Sequence, residues 1–170
     1  MKLTSQEAGK MVKSLNEKIQ SIRNMEQKSR TFLASVGEDP ENCRPEYDYA
    51  ATRDELNALE QKVRKLRHAL NIFNSTHMVP GFGMTIDEML VYIPQLTKRK
   101  EKLNEMKSEL TNIRVMPERY GATSNFIDYR YVNYDLKVVE ADYNAVSDEL
   151  FRAQTALDLA NSTESFEIDL

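Results

Sequence analysis

Apolar residues recur at alternating steps of three and four in four stretches of this chain. That spacing puts one narrow apolar stripe along each helix, and helices with such a stripe pack side by side as coiled coils. The pattern predicts helices over about residues 4–37, 48–73, 86–113 and 134–160. The predicted stripe residues are, in chain order, Ala8, Val12, Leu15, Ile19, Ile22, Leu33, Val36, Leu56, Leu59, Val63, Leu66, Leu70, Phe73, Met89, Tyr92, Leu96, Leu103, Met106, Leu110, Ile113, Leu136, Val139, Tyr143, Val146, Leu150, Ala153, Leu157 and Ala160.

Long helices are stable in water only when another surface covers their apolar stripes. We therefore expect an all-α fold in which four long amphipathic helices form an antiparallel coiled-coil bundle, with residues 1–170 as a single domain. The third helix has a clear start, since Thr85-Ile86-Asp87-Glu88 has the residue types of a capping box. Pro94 lies about two turns inside this helix and predicts a bend near Leu90.

Three polar residues interrupt the predicted stripes, namely Glu26 and Ser29 in the first helix and Arg99 in the third. In an up-down-up-down bundle the first and third helices run in parallel, which puts Glu26 and Arg99 at similar heights. We expect these two side chains to pair and to set the register of the helices more than their stability.

The connection over residues 74–84 is unusually apolar for a loop. Its candidate contact residues are Met78, Val79, Phe82 and Met84, and leaving them in water would be unfavourable. We expect them to form a contact between subunits. Closure of the open end of the bundle ranks second, and contact with a membrane ranks third.

The connection over residues 114–133 is long for a compact bundle and is therefore expected to be structured. The stretch 127–132 has the composition of a short β-strand, so a β-like segment is predicted within this connection. The aromatic residues in and beside it are further candidates for a subunit interface: Tyr120, Phe126, Tyr129, Tyr131 and Tyr134.

The composition narrows the class of partner. The 23 basic and 27 acidic residues give a formal charge of −4, so the chain as a whole does not attract nucleic acid. The single cysteine, Cys43, allows no intramolecular disulfide, and the first residues lack the apolar core of a signal peptide. With no stretch of ~20 apolar residues to span a bilayer, we expect a cytoplasmic protein.

The residues offer no catalytic constellation. The two histidines, His68 and His77, do not follow a glutamate by three positions as in a di-iron bundle, so no metal site is predicted. The Gly81-Phe82-Gly83 stretch lacks the lysine and helix context of a phosphate-binding loop. We therefore expect no enzyme activity and no cofactor. Basic residues 98–100 with the tyrosine-rich segment suggest nucleic-acid binding, which ranks below structural packing.

Several short motifs resemble those of a family of uncharacterised bacterial helical proteins, some of which are called septicolysin. The motifs are Phe73-Asn74-Ser75-Thr76-His77, Thr85 to Leu90, Arg130-Tyr131-Val132 and Ala160-Asn161-Ser162-Thr163. Ser162 stands where the family has tryptophan, and Pro94 is a further departure. The resemblance implies a helical, oligomeric protein without an established reaction, and the name septicolysin implies a membrane-active cytolysin as the alternative.

The function predicted from the sequence is therefore that of a non-enzymatic assembly or interaction protein. We expect the principal partner to be a second copy of the chain in a homo-oligomer, with another, unidentified protein as a further partner. Nucleic acid and membrane rank below both.

Overall fold

The structure is a computed structural model that describes residues 1–115 and 128–170. Most of the described residues are helical, so the mainly α-helical prediction is confirmed at that level. The elements follow the order β1 (Lys2–Thr4), α1 (Ser5–Ser29), α2 (Pro40–Cys43), α3 (Tyr49–Thr76), β2 (Met78–Val79), β3 (Met84–Thr85), α4 (Ile86–Ser108), β4 (Asn112–Val115), β5 (Asp128–Tyr131), α5 (Leu136–Thr163) and β6 (Ser165–Glu167).

The chain divides into two compact units, of which the first comprises residues 1–86 and 158–170. Its main feature is the antiparallel pair of α1 and α3. Ser5 at the start of α1 lies near Asn74 at the end of α3, and Arg23 reaches Glu60 at 2.8 Å. The core between these helices consists of two clusters of buried residues, Leu3, Ala8 and Leu66 in one and Ile19, Leu59 and Val63 in the other.

Two small antiparallel sheets complete the first unit. β1 pairs with β6, with Leu3 opposite Phe166. β2 pairs with β3 in a tight hairpin, with Val79 opposite Met84. The sequence predicts neither sheet, because strands of two or three residues are too short to show an alternating pattern.

The second unit comprises residues 87–157 and contains most of α4 and α5. The Tyr92 hydroxyl donates to Glu149 near the start of α4, and Lys107 lies 3.5 Å from Glu140 near its end. The contacts follow opposite orders along the two helices, since Tyr92 precedes Lys107 whereas Glu149 follows Glu140, so the two helices are antiparallel. The arrangement of all four long helices in one bundle stays a prediction.

The predicted stripes are correct in phase but too long at two ends. The first helix was predicted to reach residue 37, yet α1 ends at Ser29, and Leu33 is 96% exposed. The reason is where α3, the partner of α1, begins. The hydroxyl of Tyr47, two residues before α3, donates to Glu26 near the end of α1. Beyond that point no part of α3 lies opposite α1 to cover Leu33 or Val36.

The third helix shows the same error. It was predicted to reach residue 113, but α4 ends at Ser108, and Leu110 and Ile113 are exposed. From Asn112 the backbone pairs with β5, so Ile113 belongs to a strand. By contrast, every predicted stripe residue of α3 and α5 is buried or half-buried.

The structure also reveals an internal repeat. α3 and α5 have the same length, 28 residues, and each is preceded by a Tyr-Asp pair and ends in Asn-Ser-Thr. Without a gap, nine of the 30 aligned positions of 47–76 and 134–163 carry the same residue. The identical pairs are Tyr47/Tyr134, Asp48/Asp135, Asn57/Asn144, Ala58/Ala145, Ala69/Ala156, Leu70/Leu157, Asn74/Asn161, Ser75/Ser162 and Thr76/Thr163.

The order of elements repeats as well. The first repeat, residues 2–79, runs strand, helix, connection, helix, strand, and the second repeat, residues 84–167, runs in the same order. The two helix starts correspond, since Thr4 and Glu7 form a capping box at α1 and Thr85 and Glu88 occupy the same places at α4. Each small sheet of the first unit contains one strand from each repeat. The repeats differ most in the connection between their helices.

Candidate interaction site

The connection between α4 and α5 contains the most exposed regular structure among the described residues. β4 and β5 form a two-stranded antiparallel ribbon, in which Asn112, Ile113, Arg114 and Val115 lie opposite Tyr131, Arg130, Tyr129 and Asp128. All eight residues are exposed. Because neighbouring residues of a strand point to opposite faces, Tyr129 and Tyr131 share a face with Arg114, while Asp128 and Arg130 share the other with Ile113.

The hydrogen bonds of the ribbon fix which backbone groups point outward. The Val132 amide donates to the Thr111 carbonyl at 3.3 Å, so this pair is a hydrogen-bonded one. Hydrogen-bonded and non-bonded pairs alternate along an antiparallel ladder. Ile113/Arg130 is therefore the next bonded pair, and the N–H and C=O groups of Tyr129 and Tyr131 point away from β4.

Tyr134 anchors the base of the ribbon to α4. Its single hydroxyl hydrogen is shared between the Met106 carbonyl oxygen, at 2.9 Å, and the Glu109 carboxylate, at 3.0 Å. Burial raises the pKa of Tyr134, and its hydrogen bond to Glu109 raises that pKa further. Asp135 follows as the cap of α5, since its carboxylate accepts from the Lys137 amide. Tyr134 was predicted as an interface residue, and the structure gives it contacts within its own unit.

Tyr47 plays the corresponding part in the first repeat. Its hydroxyl donates to Glu26 at 2.6 Å, and this hydrogen bond raises the pKa of Tyr47 to about 12. Asp48 then caps α3 by accepting from the Ala51 amide. Each repeat thus uses a Tyr-Asp pair to attach the start of its second helix to the end of its first.

The Tyr47 contact bears on the predicted pair of Glu26 and Arg99. Glu26 is half-buried and accepts from Tyr47, while Arg99 is exposed on α4. These residues belong to different units, and their pairing stays a prediction.

Within the second unit, a hydrogen bond to Glu149 raises the pKa of Tyr92.

The apolar connection predicted at 74–84 contains the last three residues of α3, which ends at Thr76, and the β2–β3 hairpin. Gly81 and Gly83 adopt positive φ angles of 84° and 62°, which allow the chain to reverse between Val79 and Met84. Val79 is buried within its own chain, whereas Met78 is exposed and Phe82 and Met84 are half-buried. Val79 can therefore reach a partner only if the hairpin opens. A contact between subunits through Met78, Phe82 and Met84 stays a prediction.

The sequence did not predict a polar cluster at the strand end of the first unit. His77 stacks on Phe73 with ring centroids 4.7 Å apart, and its Nε2 lies 3.9 Å from Glu164. Nearby, the Ser5 hydroxyl donates to Asn74 at 3.4 Å. His77 and Glu164 follow the Asn-Ser-Thr ends of α3 and α5, so the repeat would have placed them at equivalent positions. Their side chains thus lie close together across the two repeats.

The outward side of α5 has several exposed apolar residues among charged ones such as Asp148 and Arg152. Val138, Ala141, Ala145 and Phe151 are exposed there, and the large exposed apolar side chains of α5 are Val138, Phe151 and Leu159. Phe151, which is 70% exposed, corresponds to Arg64 in the first repeat, and Ala141 corresponds to Asp54. These two positions are thus charged in the first repeat and apolar in the second.

Two other predicted interface residues, Tyr120 and Phe126, lie outside the described residues. Within residues 1–115 and 128–170, no three His, Cys, Asp or Glu side chains gather closely enough to hold a metal ion. None of the helices in that part of the chain combines the length and apolar character needed to cross a membrane.

Comparison with known proteins shows the fold alone. No family model matches the sequence, and no curated protein matches it. The chain is similar in structure to a functionally unknown conserved protein from Corynebacterium diphtheriae, with a TM-score of 0.59 and 14% sequence identity. The match covers 98% of this chain and 100% of that chain.

Proposed function

We propose that this chain is a non-enzymatic assembly protein whose helices form an antiparallel bundle and whose copies associate into a homo-oligomer. The observation that carries the proposal is the β4–β5 ribbon, in which all eight residues are exposed. A two-stranded hairpin is marginally stable alone in water and needs a third strand or a packing surface. Among the described residues nothing covers the ribbon, so we infer that a second molecule does.

The repeat supports a dedicated role for this ribbon. The connection between α1 and α3 contains a four-residue helix, α2, whereas the equivalent connection between α4 and α5 contains paired strands. Tyr47-Asp48 and Tyr134-Asp135 end both connections in the same way. The ribbon is therefore an addition to one repeat that the helical pairs do not require. Two exposed apolar residues of α5, Ala141 and Phe151, likewise stand where the first repeat has charged residues.

Light scattering coupled to size-exclusion chromatography tests the proposal. We expect the wild-type mass to be at least twice the 19.7 kDa of one chain. Replacing both ribbon tyrosines, Tyr129→Ser with Tyr131→Ser, should shift the mass toward that of one chain. Tyr49→Ser is the matched control, because Tyr49 is as exposed as the ribbon tyrosines but lies at the start of α3.

A wild-type chain that stays monomeric at every concentration tested would overturn the proposal. The cytolysin alternative has its own readout in the same series. Release of a trapped dye from vesicles of phosphatidylcholine and phosphatidylglycerol by the monomeric wild type, and not by the tyrosine variant, would favour membrane contact over self-association.

A further inference from the structure

We infer that the free edge of β5 pairs with the β5 edge of a second copy, antiparallel and about a two-fold axis at Tyr129. This inference rests on the proposed self-association and names the surface and the register that produce it. It joins two ribbons into a four-stranded sheet, which exceeds the three strands that independent stability requires.

The outward backbone groups of β5 can make this contact. The outward N–H and C=O groups of Tyr129 and Tyr131 form an edge with no third strand among the described residues. An exposed edge of this kind is a template for another strand. In a pair centred on Tyr129, the two copies of that residue exchange both backbone hydrogen bonds, as residues with outward-pointing groups must.

The side chains select the same register. When Tyr129 lies opposite its own copy, Asp128 of each chain lies opposite Arg130 of the other, on the same face of the sheet. Two opposite-charge pairs therefore form at once. No ion pair within the described residues involves Asp128 or Arg130, so both charges are available for a partner.

Other symmetric registers are less favourable. A pair centred on Arg130 would put two guanidinium groups directly opposite each other, and like charges in that position are destabilising. A pair centred on Tyr131 would lose both Asp128–Arg130 contacts. The outer edge of β4 offers no acidic side chain, and a pair centred on Arg114 would again oppose two arginines. The complementary charges of β5 thus point to a second copy of this strand as the occupant.

Charge reversal tests the contact between Asp128 and Arg130. Asp128→Arg puts arginine opposite arginine at both pairs, and Arg130→Asp puts aspartate opposite aspartate, so each variant alone should associate about 30-fold more weakly. In an equal mixture, a chain that is basic at both positions meets a chain that is acidic at both, and every cross-strand pair again joins opposite charges. The mixture should therefore recover the wild-type mass. Arg114→Asp, on the other strand of the ribbon, is the control that should leave the mass unchanged.

Disulfide trapping tests the register. In a Cys43→Ser background, Tyr129→Cys puts two thiols on residues whose Cα atoms lie ~5.5 Å apart in a hydrogen-bonded pair, which suits a disulfide. The copies of residue 131 would be about four residues apart along the strands, or ~14 Å, which is too far. Mild oxidation should cross-link Tyr129→Cys into a covalent dimer and leave Tyr131→Cys largely uncross-linked.

The outcomes separate the inference from the proposed function. An oligomeric wild type with single charge variants of unchanged mass, or with a mixture that does not recover, would overturn the β5 contact and leave self-association in place. Cross-linking through Tyr131→Cys instead of Tyr129→Cys would overturn the register. A monomeric wild type would overturn both, and binding of an unrelated extended peptide at this edge would replace the second copy as occupant.

Discussion

Replacing Leu66 by alanine tests where the core of the first unit lies and how far the α1 stripe extends. Leu66 is fully buried and belongs to the cluster with Leu3 and Ala8, so its side chain is enclosed by α1, α3 and β1. Several elements hold this site, and the neighbours can move little into the space that the truncation leaves. We therefore expect Leu66→Ala to lower the free energy of unfolding by about 3 to 5 kcal/mol, the upper part of the range for buried leucine.

Leu33→Ala is the matched control. The stripe predicted from the sequence includes both leucines, but Leu33 is 96% exposed beyond the end of α1. The same truncation there should change stability by less than about 0.5 kcal/mol. Only the structure distinguishes these two positions, which makes the difference between them a direct test of where α1 ends.

Urea unfolding followed by circular dichroism measures both variants. Hydrogen exchange on peptides of α1 and α3 should locate the loss caused by Leu66→Ala in the first unit, because two compact units need not unfold together. Equal losses at Leu66 and Leu33 would refute the reasoning, since they would mean that residues beyond Ser29 pack in a core. A small loss of stability in Leu66→Ala would show that neighbouring side chains move into the space left by the leucine.

Two further predictions concern hydrogen bonding and backbone conformation. The Tyr47 phenol, whose pKa Glu26 raises from 10 to about 12, contributes stability that is present below pH 10 and lost as the pH rises from 10 to about 12. In rapid pH jumps to increasing final pH, Tyr47→Phe should remove the tyrosinate absorbance that develops near pH 12. Loss of absorbance that develops near pH 10 instead would contradict the hydrogen bond. Gly9→Ala should stabilise α1 by about 0.5 to 1 kcal/mol, because alanine loses less backbone entropy on folding than glycine and its methyl group would meet no atom within 4 Å beyond the adjacent residues and the nearby helix backbone. Gly81→Ala should destabilise by about 1 to 2 kcal/mol because of its positive φ of 84°. A rise in melting temperature for Gly81→Ala would contradict this assignment, and a fall for Gly9→Ala would contradict the other.

The sequence predicted the phase of the helices because heptad spacing depends only on local geometry. Leu59, Val63 and Leu66 are buried in α3, and Val146, Leu150 and Ala153 are buried in α5, as the spacing indicates. Helix ends depend on tertiary structure, since a stripe continues to be useful only while a partner lies opposite. Leu33 and Leu110 fit the period and yet lie beyond the helices, so spacing alone could not exclude them.

The candidate site was predicted in part. The β-type composition of 127–132 predicted a strand, and β5 at Asp128–Tyr131 confirms it. Its partner β4 was missed because Ile113 also fits the helical period, and short apolar runs do not distinguish strand from helix. The register of the ribbon, which separates Tyr129 from Asp128 and Arg130, depends on cross-strand pairing that no local pattern encodes.

The repeat is also visible in the sequence alone. Tyr-Asp and Asn-Ser-Thr recur at a constant separation, and a search for internal similarity would have aligned them before any helix was assigned. That alignment would have placed His77 beside Glu164 as equivalent residues. It would not have shown that they meet, because that follows from the pairing of β1 with β6 and of β2 with β3.

Because each small sheet contains one strand from each repeat, the main role of the Pro80–Gly83 turn is to keep the two repeats in one chain. Each small sheet takes one strand from residues 2–79 and one from residues 84–167, so neither part can complete its sheets alone. A protease cut in this turn would leave two fragments that both sheets still join. The covalent link supplies only a high effective concentration, and two separately synthesised fragments should be able to reconstitute the fold.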